Sequence, residues 1–151
     1  MFWISNPRFY PDGTPAVGLL FLRICAGSAL ALHGVGKIKE PFNWMGPDAG
    51  VPGILQALAA LSEFGGGLAL LLGFLTPLAC LGIMSTMFVA ALAHLTNDAT
   101  PTYFVKPGDA PKTADSYESA ALYFTIALAF FLTGPGVLSI DRFLFGRKKS
   151  L

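Results

Sequence analysis

Four stretches of the chain are almost uninterruptedly apolar, roughly 16–35, 51–75, 77–96 and 119–140. Each is long enough to cross the hydrocarbon core of a bilayer, which takes about 20 residues of helix. The pattern therefore predicts an all-α, four-helix integral membrane bundle with a single membrane domain over 1–151. Two glycines and Pro41 in "HGVGKIKEP" are expected to stop the first helix. The turn-rich "FNWMGPDAGVPG" that follows is amphipathic and suits the interface or a slight fold-back. "GFLTP" reads as a tight, uncharged hairpin turn between the second and third helices. A polar stretch, 97–115, separates the third from the fourth, and a connection of that length is more often functional than idle. "GPG" at Gly134, Pro135 and Gly136 reads as a helix stop and nothing more, and a basic tail, 141–151, closes the chain.

Composition agrees. Of 151 residues, 54% are hydrophobic and 13% charged, about half the charged share of an ordinary globular domain. The net charge of +1 favours neither nucleic acid nor an acidic substrate. The aromatic, proline-rich lead with Phe2, Trp3, Phe9 and Tyr10 suits the headgroup layer and is a poor signal peptide. An even number of spans places both termini on one side, and Arg8, Arg142, Arg147, Lys148 and Lys149 favour the cytoplasm for it. The expected location is the inner (plasma) membrane, multi-pass.

Ionisable groups inside apolar spans carry the strongest functional signal, because each costs roughly 2.5–3.5 kcal/mol even on the lenient insertion scale. Arg23, His33, Glu63 and His94 fall within spans and Glu118 at the mouth of one. A rise of about 1.5 Å per residue puts Arg23 about 11 Å in from the start of its helix and Glu63 about 15–18 Å above the same side. That difference is about a helical turn, so Arg23 and Glu63 are expected to form an ion pair. In "LSEFGGGLALLLGF", Gly66 and Gly67 lie one turn from Glu63 and either let the first helix approach closely or leave a slot for a flat ligand. An ion pair that only holds helix register explains Glu63 as well as a functional one does.

A second layer comprises His33, His94 and Glu118, with Lys37 one turn beyond His33. It reads as a proton-handling cluster or as helix-end residues meeting headgroups and water. No i, i+3 or i, i+4 pairing among them preforms a metal site, so no metal is assigned. Cys80, Met84, Met87 and His94 share one stripe of the third helix, but Cys80 and His94 stand about 21 Å apart along its axis and cannot share a copper ion. Cys25 and Cys80 differ in depth by about 8 Å, which argues against a disulfide. Phosphate-binding glycine loops, GxSxG and HExxH are absent.

The ordered pieces "LRICAGSALALHGVGKI", "SEFGGGLALLLGFLTPLA", "MFVAALAHL" and "SYESAALYFTIALAFFLTGPGVLSIDRF" resemble the DoxX family of small four-helix membrane proteins, over about residues 17–145. The family includes or is close to the small membrane subunit of thiosulfate:quinone oxidoreductase, and many members are labelled oxidoreductases. By this resemblance the recurrent polar positions fall on Arg23, His33, Lys37, Glu63, His94, Glu118 and Asp141. The implied function is a membrane subunit of a redox system. Its site would have Glu63, His33, His94 and Glu118 handling protons and Arg23, Lys37, Gly66 and Gly67 shaping a quinone site. Electrons would come from a soluble partner protein or directly from the substrate. A non-catalytic anchor or scaffold for a redox or stress-defence complex is the alternative, with the tail and the 97–115 loop as docking surfaces. A solute or proton pathway is disfavoured by the apolar stretch between Glu63 and the second layer. Lipid is the one certain partner, nucleic acid is not expected, and an oligomer is permitted.

Overall fold

In a computed structural model the described residues are 10–47, 49–96 and 117–146. Among them the chain is entirely helical: α1 (Thr14–Lys39), α2 (Gly53–Leu72), α3 (Thr76–Thr96), α4 (Tyr117–Thr133) and the short α5 (Ile140–Phe145). Helices α1, α2 and α3 are long and apolar enough to cross a membrane, and α4 is a shorter apolar helix. The leader's Phe2, Trp3 and Phe9, the 97–115 stretch and the tail beyond Gly146 lie outside the described residues.

Lipid tails are as apolar as leucine, so no hydrophobic force drives these helices together; packing at small residues and hydrogen bonds must do it. The α1–α2 pair shows how. Arg23, Gly27, Leu30, Gly34 and Lys37 repeat at alternating steps of three and four along one face of α1. Gln56, Ala60, Glu63, Gly67 and Leu70 do the same on α2, and these are that helix's buried residues. A Cβ on Gly67 would lie 2.5 Å from the Ala31 backbone nitrogen, and one on Gly34 would lie 2.4 Å from that of Phe64. Backbones that close admit no side chain, so the glycines lock the antiparallel register. Gly66 faces α3 instead, against Ile83. Leu30, Leu70, Cys80, Ile83, Met87, Ala127 and Phe130 close the core between all four helices.

One boundary differs from the sequence expectation. α1 does not stop at its glycines but runs to Lys39, because Gly34 is packed against Phe64 and the helix continues past it. α4 ends at Thr133, at the stop expected of "GPG", where Gly134 and Gly136 adopt positive φ around Pro135. The "GPG" segment is more than a stop. It turns the chain back under the bundle, where the Val137 amide donates to Pro11 O (3.1 Å) and α5 begins. The fold-back expected after α1 is present: the Trp44 indole donates to Gln56 O (2.9 Å) and the Met45 amide to Gln56 Oε1 (3.0 Å).

Candidate functional site at the distal end of the bundle

The polar groups of the bundle form two separate clusters. At the end that carries α5, Asp141 is fully buried and its carboxylate accepts from the backbone amides of Leu75 (2.7 Å) and Thr76 (2.8 Å). It thereby caps the start of α3 and holds Leu75 at φ 46, an uncommon conformation for a residue with a side chain. The Asp141 amide donates to Gly73 O (2.8 Å), and the Tyr10 hydroxyl to Asp141 O (3.1 Å). Burial first, and the Asp141 charge second, push the Tyr10 hydroxyl up to about 12. Tyr10 is thus a buried part of this lock.

Arg23 belongs to the same cluster. It is 1% exposed and donates to Leu138 O, while its guanidinium fills the space beside Gly73, where no Cβ could stand. The expected Arg23–Glu63 pair is therefore not formed. The glycine-locked register sets Arg23 beside the end of α2, about 15 Å along that helix from Glu63.

Glu63 pairs with Lys37. Their Nζ and Oε1 atoms are 2.6 Å apart, with 26% of the lysine side chain exposed and 6% of the glutamate's. Lys37 remains helical because α1 overruns its glycines, and Nζ also sits 4.3 Å from the centroid of the Trp44 ring. The indole is held in turn by Gln56, which is buried and donates to Val51 O (2.9 Å). The second carboxylate oxygen of Glu63 is buried and takes no hydrogen bond. The result is a cation clamped between a buried carboxylate and an aromatic face, each strengthened by the low dielectric around it.

Lys37 and Trp44 line an open, shallow cavity of about 320 Å³ at the surface with His33, Gly36, Lys39 and Glu40. His33 is exposed and meets the Tyr123 ring of α4 edge-on, with centroids 6.3 Å apart. His94 and Glu118 stand half-buried at the same end, on α3 and in the first turn of α4, and neither lines the cavity. The spaces at Gly66 and Gly67 are occupied by Ile83 and by the backbone of α1, so the glycines serve helix approach and leave no slot. Among the described residues no three His, Cys, Asp or Glu side chains come together to hold a metal. Trp44 and Gln56 were missing from the sequence-level site. Gln56 alone carried a signal, an amide within the apolar start of α2; Trp44 read only as part of an interfacial turn.

The profile of the DoxX family matches residues 18–95, the segment that holds Arg23, His33, Lys37, Glu63 and the register glycines. Inner membrane protein YqjF of Escherichia coli (strain K12) is 33% identical over 133 residues, which cover 85% of this chain and 92% of that protein. No solved structure matches. With a family profile over half of its length and apolar spans in place, this multi-pass inner-membrane chain belongs to the DoxX family.

Proposed function

We infer that the chain is the membrane component of a quinone-linked redox system, receiving electrons from a soluble partner protein or directly from that system's substrate. The observation that supports this reading is the cavity beside the Lys37–Glu63 pair. Its volume of about 320 Å³ lies at the small end of the range for ligand pockets. Its lining combines an aromatic wall, Trp44, with two nitrogen donors, Lys37 and His33. A quinone head is a flat ring with carbonyl acceptors at opposite edges, and such a lining suits it.

Reduction of a quinone to the quinol takes two electrons and two protons. In this reading Lys37 Nζ donates a hydrogen bond to one carbonyl oxygen, and Glu63 holds the ammonium oriented behind it. His33, exposed on the cavity side, passes protons between water and the other oxygen. His94 and Glu118 extend proton exchange along the rim. Arg23, Gly66 and Gly67 hold the helices that carry these groups.

The test is the quinone content of protein purified in mild detergent, read after solvent extraction. Near-stoichiometric quinone in the parent is expected, with loss in Trp44→Ala and in Lys37→Met/Glu63→Gln, each checked for an unchanged helical fold. No quinone in any sample, even after adding it back, would overturn this reading and favour a non-catalytic anchor for a redox complex.

A further inference from the structure

The aromatic wall of the cavity is already covered. Lys37 Nζ stands 4.3 Å from the centroid of the Trp44 ring. The remaining lining residues belong to α1 or follow it directly, and Lys37 is on α1 too. The covered face of the indole is therefore the one turned toward the cavity. A flat ring stacked on that face would lie about 3.5–4.0 Å from it. That is inside the height at which Nζ stands, so a ring and the ammonium cannot both occupy the middle of the indole face. Either Trp44 or Lys37 has to yield to a ring ligand.

Trp44 is the fixed partner. Its Nε1 donates to Gln56 O (2.9 Å), and the adjoining Met45 amide donates to Gln56 Oε1 (3.0 Å). Gln56 is itself 3% exposed and donates from Nε2 to Val51 O (2.9 Å), so one buried side chain ties both limbs of the turn to the start of α2. Lys37 is the movable partner: its head ends a flexible aliphatic stem, and part of its side chain is exposed. Its two attachments are unequal. The bond to Glu63 Oε1 joins opposite charges at 2.6 Å and outweighs a cation–π contact at a surface. Glu63 Oε2, buried and without a hydrogen bond among the described residues, offers a second acceptor beside the first. An ammonium has three N–H donors. Off the indole, it keeps one on Oε1, brings a second to Oε2 and has the third free for an acceptor in the cavity.

We propose that Lys37 is a displaceable cover of the quinone site. It lies on Trp44 until an entering quinone ring takes its place on the indole, and the ammonium then swings onto both oxygens of Glu63. This rests on the quinone reading above and supplies its regulation: entry exchanges a cation–π contact for a ring–ring contact, with Glu63 as the receiving group. A small polar solute cannot stack and leaves the cover closed, so the open cavity selects flat rings.

The full chain, labelled with carbon-13 at the lysine Cε and held in detergent, is read by NMR while a short-tailed benzoquinone is added. Binding is followed separately, as saturable quenching of Trp44 fluorescence in a Trp3→Phe background. Before quinone is added, the Lys37 Cε protons should resonate upfield of the other lysines, under the ring current of Trp44. Trp44→Leu should return that signal to the ordinary position; Lys37→Met, which deletes it, assigns it if the first variant does not fold. Saturation with quinone should abolish the upfield displacement, and Glu63→Gln should weaken quinone binding several-fold. No upfield signal in the parent would overturn the cover outright. An upfield signal that persists at saturating quinone would overturn it and leave the quinone site standing. Absence of saturable quenching with the signal still upfield would overturn the quinone reading, and the exchange with it. Unchanged affinity in Glu63→Gln would overturn the carboxylate as the receiving group.

Discussion

Lys37 reaches from the last turns of α1 to Glu63 in the middle of α2, 2.6 Å from nitrogen to oxygen. Removing one partner of a buried pair leaves the other charge uncompensated, which costs about 3–5 kcal/mol, here toward the lower figure because Lys37 is partly exposed. Lys37→Met should therefore lower the thermal unfolding midpoint in detergent, and Lys37→Met/Glu63→Gln should recover most of the loss. A redox role adds a second readout: the double variant folds but stays without bound quinone. Recovery of both would reduce the pair to a structural clamp.

Register in the α1–α2 pair rests on glycine. Gly67→Ala would drive a methyl to 2.5 Å from the Ala31 nitrogen, and backbone cannot step aside as a flexible side chain can. Separation of the helices should break the Lys37–Glu63 contact and cost several kcal/mol, at the upper end of about 1–3 kcal/mol for overpacking or beyond it. Gly18→Ala meets nothing within 4 Å and should be neutral or stabilising by up to about 1 kcal/mol. Equal unfolding temperatures for the two variants would contradict this register.

Asp141 joins α5 to the α2–α3 turn through two charge-assisted bonds, each worth about 1.5–3 kcal/mol. Asp141→Ala should cost about 3 kcal/mol or more, and Asp141→Asn, which keeps one acceptor, about half of that. Limited proteolysis after α5 would show the same order, with release of α5 preceding global unfolding.

The Tyr10 hydroxyl gives the lock a pH dependence. Its folded value is raised from 10.0 to about 12, so the folded state favours the protonated phenol. That contribution is fully present below pH 10 and is lost as pH rises toward about 12. Stability of the parent should fall over this window, and Tyr10→Phe should flatten that part of the curve. The tyrosinate absorbance difference between the two proteins should show one phenol ionising late.

Apolar runs of spanning length, hairpin turns made of Gly and Pro, and ionisable residues stranded inside spans are local properties of the chain. They are enough to specify helices, a membrane location and the residues that need partners. Glu63 is legible as a buried carboxylate from its neighbours alone. Which cation answers it is not. Counting depth from aligned helix ends selects Arg23, but the helices are staggered, because Gly27, Gly34 and Gly67 demand backbone contact at one register and carry Arg23 past Glu63 to Gly73. Likewise "HGVGK" looks like a helix end until Gly34 is seen packed on Phe64, which keeps Lys37 helical and within reach of the carboxylate. Trp44, Gln56 and Asp141 acquire their roles only when a turn folds back or a segment re-enters. Burial, charge and helix length can be read along one dimension, whereas partners are chosen by steric fit between segments distant in sequence, and that exists only in three.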